Sequence, residues 1–232
     1  MRIVCIYTKD ILASTQLGVR CVASGKKFGY NIELFPSVSW TGLDEVHKKL
    51  NLTPKYTPVF NTAQHTSTTC PAVRMANGTT HFMLYKWAVE NNKPICILEH
   101  DAMFVGLIPE PKVDGVVQIS SHINGQANEQ IWRGCTRAIK MEKFQPTAKF
   151  IWDANAKGVV QHPLTGTSGT SGYIIHPGAA KRMVDYIERD GIANADRIRT
   201  EWVGEGNLYL QIPQSVICDH KVRTAQLKLY TR

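Results

Sequence analysis

With 232 residues, 43% of them hydrophobic, the chain is long enough to bury a full core as one α/β domain with elaborations. No apolar run approaches the roughly 20 residues that span a bilayer, and the Met1–Tyr7 segment is too short for a signal-peptide core. No membrane-spanning helix and no signal peptide are expected, and the expected location is the cytoplasm. The net charge of +8, with a pI near 9.2, favours polyanionic partners: nucleic acid, an anionic membrane surface or a diphosphate.

Arg2–Tyr7 is expected as the first strand. Ser14 is placed to cap a helix over Thr15–Phe28 that stops at Gly29. Ile32–Phe35 follows as a strand and Gly42–Leu50 as a short helix. Asn51 to Asn77, rich in Thr, Pro, Asn and Ser, has the composition of a long functional loop. Thr79 or Thr80 would then cap a helix running to Asn91, with Met83, Leu84, Trp87 and Ala88 at helical spacing.

That helix leads into Ile95–Leu98, a short buried strand, and Gly115–Ile119 is expected as another. Glu129–Phe144 has the pattern of an amphipathic helix, with Arg133, Arg137 and Lys140 at i, i+4 and i+7 on one face; Gly134 weakens it. A Gly/Thr/Ser run from Gly166 to Gly172 precedes the apolar Tyr173–Ile175. Pro177 suits the first turn of a helix to Asp190, ended by Gly191. Asn207–Ile212 and Ser215–Cys218 close the series as strands. The cysteines at 5, 21, 70, 96, 135 and 218 show no C-x-x-C pair or zinc spacing, and all are expected as reduced thiols.

The chemistry gathers at Glu99-His100-Asp101. Residues two apart on an extended chain point the same way, so Glu99 and Asp101 are expected to face one site at a strand's C-terminal edge, where open α/β sheets bind ligands. Two such carboxylates suit Mg²⁺ or Mn²⁺ carrying a diphosphate. For an isolated E-x-D, a solvated acidic turn after a core strand is the more ordinary reading, and the surrounding motifs must decide. Tyr7 and Thr8, ending the first strand, are placed to meet a nucleotide base, and Arg74 and His81 to reach donor phosphates. Gly169, Thr170, Ser171 and Gly172 would let a sugar or acceptor approach the backbone closely; no G-K-[ST] follows, which excludes a P-loop.

Gly78-Thr79-Thr80-His81-Phe82 ahead of Ile95-Cys96-Ile97-Leu98-Glu99-His100-Asp101-Ala102 resembles the "S-H … I-L-E-D-D-A" region of glycosyltransferase family 25. Gly169 to Ile175, followed by Ala179-Ala180-Lys181-Arg182-Met183-Val184, looks like that family's "G-T-x-G-Y-x-I … A-A-x-x-L" segment. The resemblance covers about Cys70 to His220. It implies a single α/β domain of the GT-A, Rossmann-like type with a mixed central sheet flanked by helices. Residues 1–119 would form the nucleotide-sugar and metal-binding half, and residues 120–232 the acceptor half.

The implied activity is an inverting, metal-dependent transfer of a hexose or pentose from a nucleotide sugar, such as a UDP-sugar, to a hydroxyl. Asp101 would be the metal ligand, Glu99 would contact the metal or the donor's ribose, and His220 would complete the metal shell from the C-terminal region. Imidazole there suits Mn²⁺ better than Mg²⁺. Asp196, where the family carries an Asp, would be the general base, with Glu201 and Glu205 as competitors. His100 departs from the family's usual Asp; the E-H-D form looks like that of phage-encoded members.

For the acceptor, the basic charge serves DNA and an anionic membrane surface alike; the phage-like E-H-D form and the lack of an obvious amphipathic membrane helix lean towards DNA carrying hydroxylated cytosines, whose phosphates the Arg133/Arg137/Lys140 face would hold. A surface saccharide such as lipopolysaccharide is the alternative. A non-catalytic nucleic-acid-binding protein on a transferase scaffold stands as a different class, which the retained acids argue against.

Overall fold

The computed structural model describes residues 1–52, 71–108, 110, 113–121, 158–161, 171–192, 200–204, 207–212 and 215–218. In chain order its strands are β1 (Arg2–Tyr7), β2 (Glu33–Pro36), β3 (Ile95–Glu99), β4 (Ala102–Phe104), β5 (Val116–Gln118), β6 (Ser120–Ser121), β7 (Gly158–Gln161), β8 (Gly172–Ile175), β9 (Leu208–Ile212) and β10 (Val216–Cys218). The helices are α1 (Leu12–Lys26), α2 (Leu43–Leu50), α3 (Pro71–Asn91), α4 (Pro177–Asp190) and the short α5 (Thr200–Val203). The expected amphipathic helix at Glu129–Phe144 lies outside the described residues.

The strands form a mixed seven-stranded sheet in the order β2-β1-β3-β8-β5-β9-β7 and a three-stranded sheet in the order β4-β10-β6. β1 runs parallel to both β2 and β3, whereas β8 is antiparallel to β3 and β5. The large sheet therefore draws strands from both halves of the chain. Alternation along β3 sends Ile95 and Ile97 into one core layer, with residues of α3 and α4. Cys96 and Leu98 enter the other, beneath α1, β4 and β10. This is a mixed, helix-flanked, Rossmann-like α/β architecture, as the family resemblance implies. Among the described residues no helix is long and apolar enough to cross a membrane.

Winding changes direction at β1: the chain first goes outward to β2, then returns to place β3 on the other side. Such a switch point opens a crevice at the strands' C-terminal edge. The segments after Tyr7, Pro36 and Glu99 gather there, and the Ser37 N–H donates to the Tyr7 carbonyl at 2.8 Å.

Two helices differ from expectation in where they start. α1 starts at Leu12 with Ile11 at its N-cap, and Ser14 sits within its first turn, accepting a hydrogen bond from the Thr8 N–H at 2.8 Å. α3 begins at Pro71, inside the stretch expected as loop, so Thr79 and Thr80 lie mid-helix rather than at a cap. Their hydroxyls donate back to the carbonyls of Met75 and Ala76, both at 2.8 Å, a bond that lets a Thr sit in a helix with no unpaired oxygen.

Those hydroxyls also tie neighbouring segments to α3. Thr79 meets His47 Nε2 of α2 at 2.9 Å, and Thr80 accepts from the Val38 N–H at 2.9 Å. Thr80→Val keeps the shape but strips that acceptor. It should cost about 1–3 kcal/mol, lowering the melting temperature by roughly 2–4 °C for each kcal/mol. Thermal denaturation followed by circular dichroism checks this; an unchanged midpoint would show that the Val38 bond carries no stability.

Candidate active site

The acid pair stands at the crevice by a route other than strand alternation. β3 ends at Glu99, and His100 and Asp101 form a turn that carries the chain into β4 of the second sheet. Glu99, half-buried, follows Ile97 on the α3 side of the sheet, and its charge acts on the Tyr173 phenol of β8. Asp101 turns towards the second sheet and is 3% exposed. Both charges nonetheless act on the same thiols, Cys5 and Cys218, so the two carboxylates serve one region from different elements. His100, half-buried in the turn, has no strand face to point away from.

Asp101 is held unusually. The Cys218 thiol donates to its Oδ2 at 2.9 Å, while Oδ1 is buried with no hydrogen-bond partner among the described residues. A buried carboxylate with one weak donor is poorly compensated. Such an oxygen is the kind of hard donor that a divalent cation takes, and the site's chemistry fits that group. Burial raises the Cys218 thiol well above its ordinary range; the Asp101 charge and bond add to this, and the Ser171 hydroxyl opposes it. Among the described residues no three His, Cys, Asp or Glu side chains gather in a metal-binding group. His220, two residues beyond Cys218, lies outside them.

The Gly/Thr/Ser run meets the acids at its end. The Ser171 carbonyl accepts from the Glu99 N–H at 3.0 Å, and Gly172 pairs with Leu98. A Cβ on Gly172 would lie 3.2 Å from Leu98 Cδ2, 3.3 Å from Ser120 Cβ and 3.4 Å from Val216 Cγ1. Its missing side chain thus lets the two sheets pack together, a use different from the close approach of a ligand expected there. Gly169 and Thr170 lie outside the described residues.

His81 is not at the surface of the crevice. It is 1% exposed, its Nδ1 lies 2.6 Å from the Tyr173 hydroxyl, and that hydroxyl lies 2.8 Å from the Tyr85 hydroxyl. Burial holds the imidazole pKa down to about 3, so it is neutral and has a single N–H to offer. A neutral interior ring of this kind stacks on Tyr173, the ring centroids 5.9 Å apart; direct contact with a donor phosphate would require it to leave the core.

Of the other expected residues, Tyr7 and Thr8 are half-buried at the end of β1, and Ile6 pairs with Glu99. Arg74 belongs to the first turns of α3 and Glu201 to α5, but the side chains of both lie outside the described residues. So do Asp196, Glu205, Arg133, Arg137 and Lys140.

Cys218 and Tyr173 are legible from sequence only as parts of apolar strands, and Tyr85 carries no signal of its own. The one signal for Cys218 was its place at the end of the last strand, immediately before Asp219-His220.

No curated protein matches this chain. The family model described as glycosyltransferase family 25 (LPS biosynthesis protein) matches residues 75–198, more than half of the sequence. The matched segment contains most of α3, the acids at the end of β3, β8 and α4. With an acid-bearing strand end at a Rossmann-like switch point inside that match, the chain belongs to glycosyltransferase family 25 and is a glycosyltransferase.

Proposed function

We propose that the chain transfers a sugar from a nucleotide-diphosphate donor, seated across the C-terminal ends of β1 and β3, to a saccharide hydroxyl. The observation that carries this reading is the buried Asp101 carboxylate at the crevice, one oxygen of which has no partner among the described residues. Asp101 and Glu99 would hold a divalent cation, with His220 as a further ligand, and the nucleotide base would lie against Tyr7 and Thr8. When bound, the cation offsets the negative charge of the donor's diphosphate and of the departing nucleotide.

The protein's own share is positional and electrostatic. Asp101 keeps a negative charge fixed in a region shielded from water, where it acts more strongly than on an open surface. Inversion at the anomeric carbon needs a carboxylate to take the acceptor's proton; Asp196 is our nominee, with Glu201 and Glu205 as alternatives. The saccharide acceptor is favoured by the family's description as lipopolysaccharide biosynthesis proteins. A second reading, hydroxylated cytosine in DNA, is favoured by the net charge of +8 and the basic Arg133/Arg137/Lys140 pattern.

Two measurements test the reading. UDP with Mn²⁺ should raise the melting temperature by roughly 5–10 °C at about 100 times Kd, and UDP in excess EDTA should not. A nucleotide bound equally well in EDTA would remove the cation from the scheme. A panel of nucleotide sugars with Mn²⁺ should then be offered to lipid-linked saccharides and, separately, to hydroxymethylated duplex DNA. An added hexose or pentose mass on the saccharide supports the first reading, and one on the nucleoside supports the second.

A further inference from the structure

We propose that Cys218 is the positioning residue for Asp101, its S–H bond fixing Oδ2 so that Oδ1 is presented to the cation. The proposal rests on the reading that Asp101 holds that cation. Its geometry is independent of it. The thiol and the carboxylate are each 3% exposed, and the sulfur lies 2.9 Å from Oδ2.

The backbone makes this contact a consequence of sheet pairing. Cys218 on β10 is the antiparallel partner of Ala102 on β4, the residue directly after Asp101. The ladder therefore delivers the thiol to the turn, and the Ser215 carbonyl anchors the other end of β4 by accepting from the Val105 N–H at 2.8 Å. A thiol is a weak donor. It orients the carboxylate without satisfying it, and the second oxygen keeps its full capacity for a cation. A lysine or arginine in the same place would neutralise the charge.

Hydrogen-bonded partners of ligating carboxylates commonly set metal affinity, at about 10–100-fold per partner removed. Cys218→Val removes the donor with little change of shape, and Cys218→Ser restores one. The metal alone is the probe: Mn²⁺ titrated into the full chain, with free Mn²⁺ followed by electron paramagnetic resonance. We expect Cys218→Val to weaken Mn²⁺ binding by about 10-fold or more and Cys218→Ser to recover most of it.

A second readout needs no Cys218→Val protein. The S–H stretching band of Cys218, isolated by subtracting the infrared spectrum of Cys218→Ser, should move to higher frequency in Asp101→Asn, because an amide accepts more weakly than a carboxylate. An unmoved band overturns the proposal. So does Mn²⁺ affinity within about twofold of wild type in Cys218→Val. If Asp101→Asn lowers Mn²⁺ affinity in that case, the cation site stands and only the role of Cys218 falls. If Asp101→Asn itself binds Mn²⁺ as wild type does, the cation site fails and the proposal fails with it.

Discussion

Asp101→Asn is expected to reduce sugar transfer by about 1000-fold or more, because a lost cation ligand removes several kcal/mol of charge stabilisation and each ~1.4 kcal/mol is tenfold in rate. The amide keeps the shape of the carboxylate and can still accept the Cys218 S–H at the position of Oδ2. Its second polar atom stays buried, but without the charge of Oδ1, which has no partner among the described residues. Stability should therefore hold or rise slightly while activity collapses, and that separation of the two quantities is the diagnostic. Initial rates with saturating donor and Mn²⁺, set beside a thermal melt without metal, provide both numbers. Activity within tenfold of wild type would place the cation, or the chemistry, elsewhere.

The second large effect concerns acid stability. His81 is neutral in the fold, with its pKa held down to about 3 from an ordinary 6.5 by burial. In the unfolded chain it takes up a proton below about pH 6.5. The stabilising contribution of the neutral ring is thus complete above that pH and is lost as the pH falls towards 3, by up to about 1.4 kcal/mol for each unit crossed. His47 acts in the same direction, its pKa lowered by burial against the opposing charge of Asp44.

His81→Gln removes one of these protons. At about pH 8 the variant should be the less stable protein, since the Tyr173 hydroxyl loses its 2.6 Å partner at a cost of about 1–3 kcal/mol. Towards pH 4 the gap should close or reverse. Urea midpoints measured at several pH values check this, and parallel curves for the two proteins would exclude His81 as the titrating group.

How much of this was legible beforehand depended on how local each signal is. α4 was read to the residue, Pro177 to Asp190, because a proline at its start and Gly191 at its end, with φ +96°, are signals carried by single residues. β1 and β3 announced themselves through β-branched runs. The start of α3 did not: a Thr has one sequence signature for two uses, capping a helix or bonding back within it, and only the neighbouring turn decides between them.

In the site, Glu99 and Asp101 are visible in the sequence as acids two apart, but they share no strand face, because β3 ends at Glu99. A strand end is set by the partner strand, and β3 loses its ladder where β8 begins at Gly172. The thiol that holds Asp101 comes from 117 residues away, a separation no sequence pattern spans. Tyr173 looked like core because it is core; its bonds to His81 and Tyr85 follow from the packing of α3 on β8.

The order in which the ribosome delivers these pieces has its own consequence. β10 is the central strand of the small sheet and among the last described segments to be made, and it brings Cys218 to a turn synthesised more than a hundred residues earlier. Pairings of such long range are slow to close, and until this one does the Asp101 carboxylate sits beside an unfilled strand position. A nascent chain halted before residue 216 would hold the β1–β3 crevice but lack the strand that locks its acid in place. The Asp101 turn is thereby left without its Cys218 bond until nearly the whole described chain has left the ribosome.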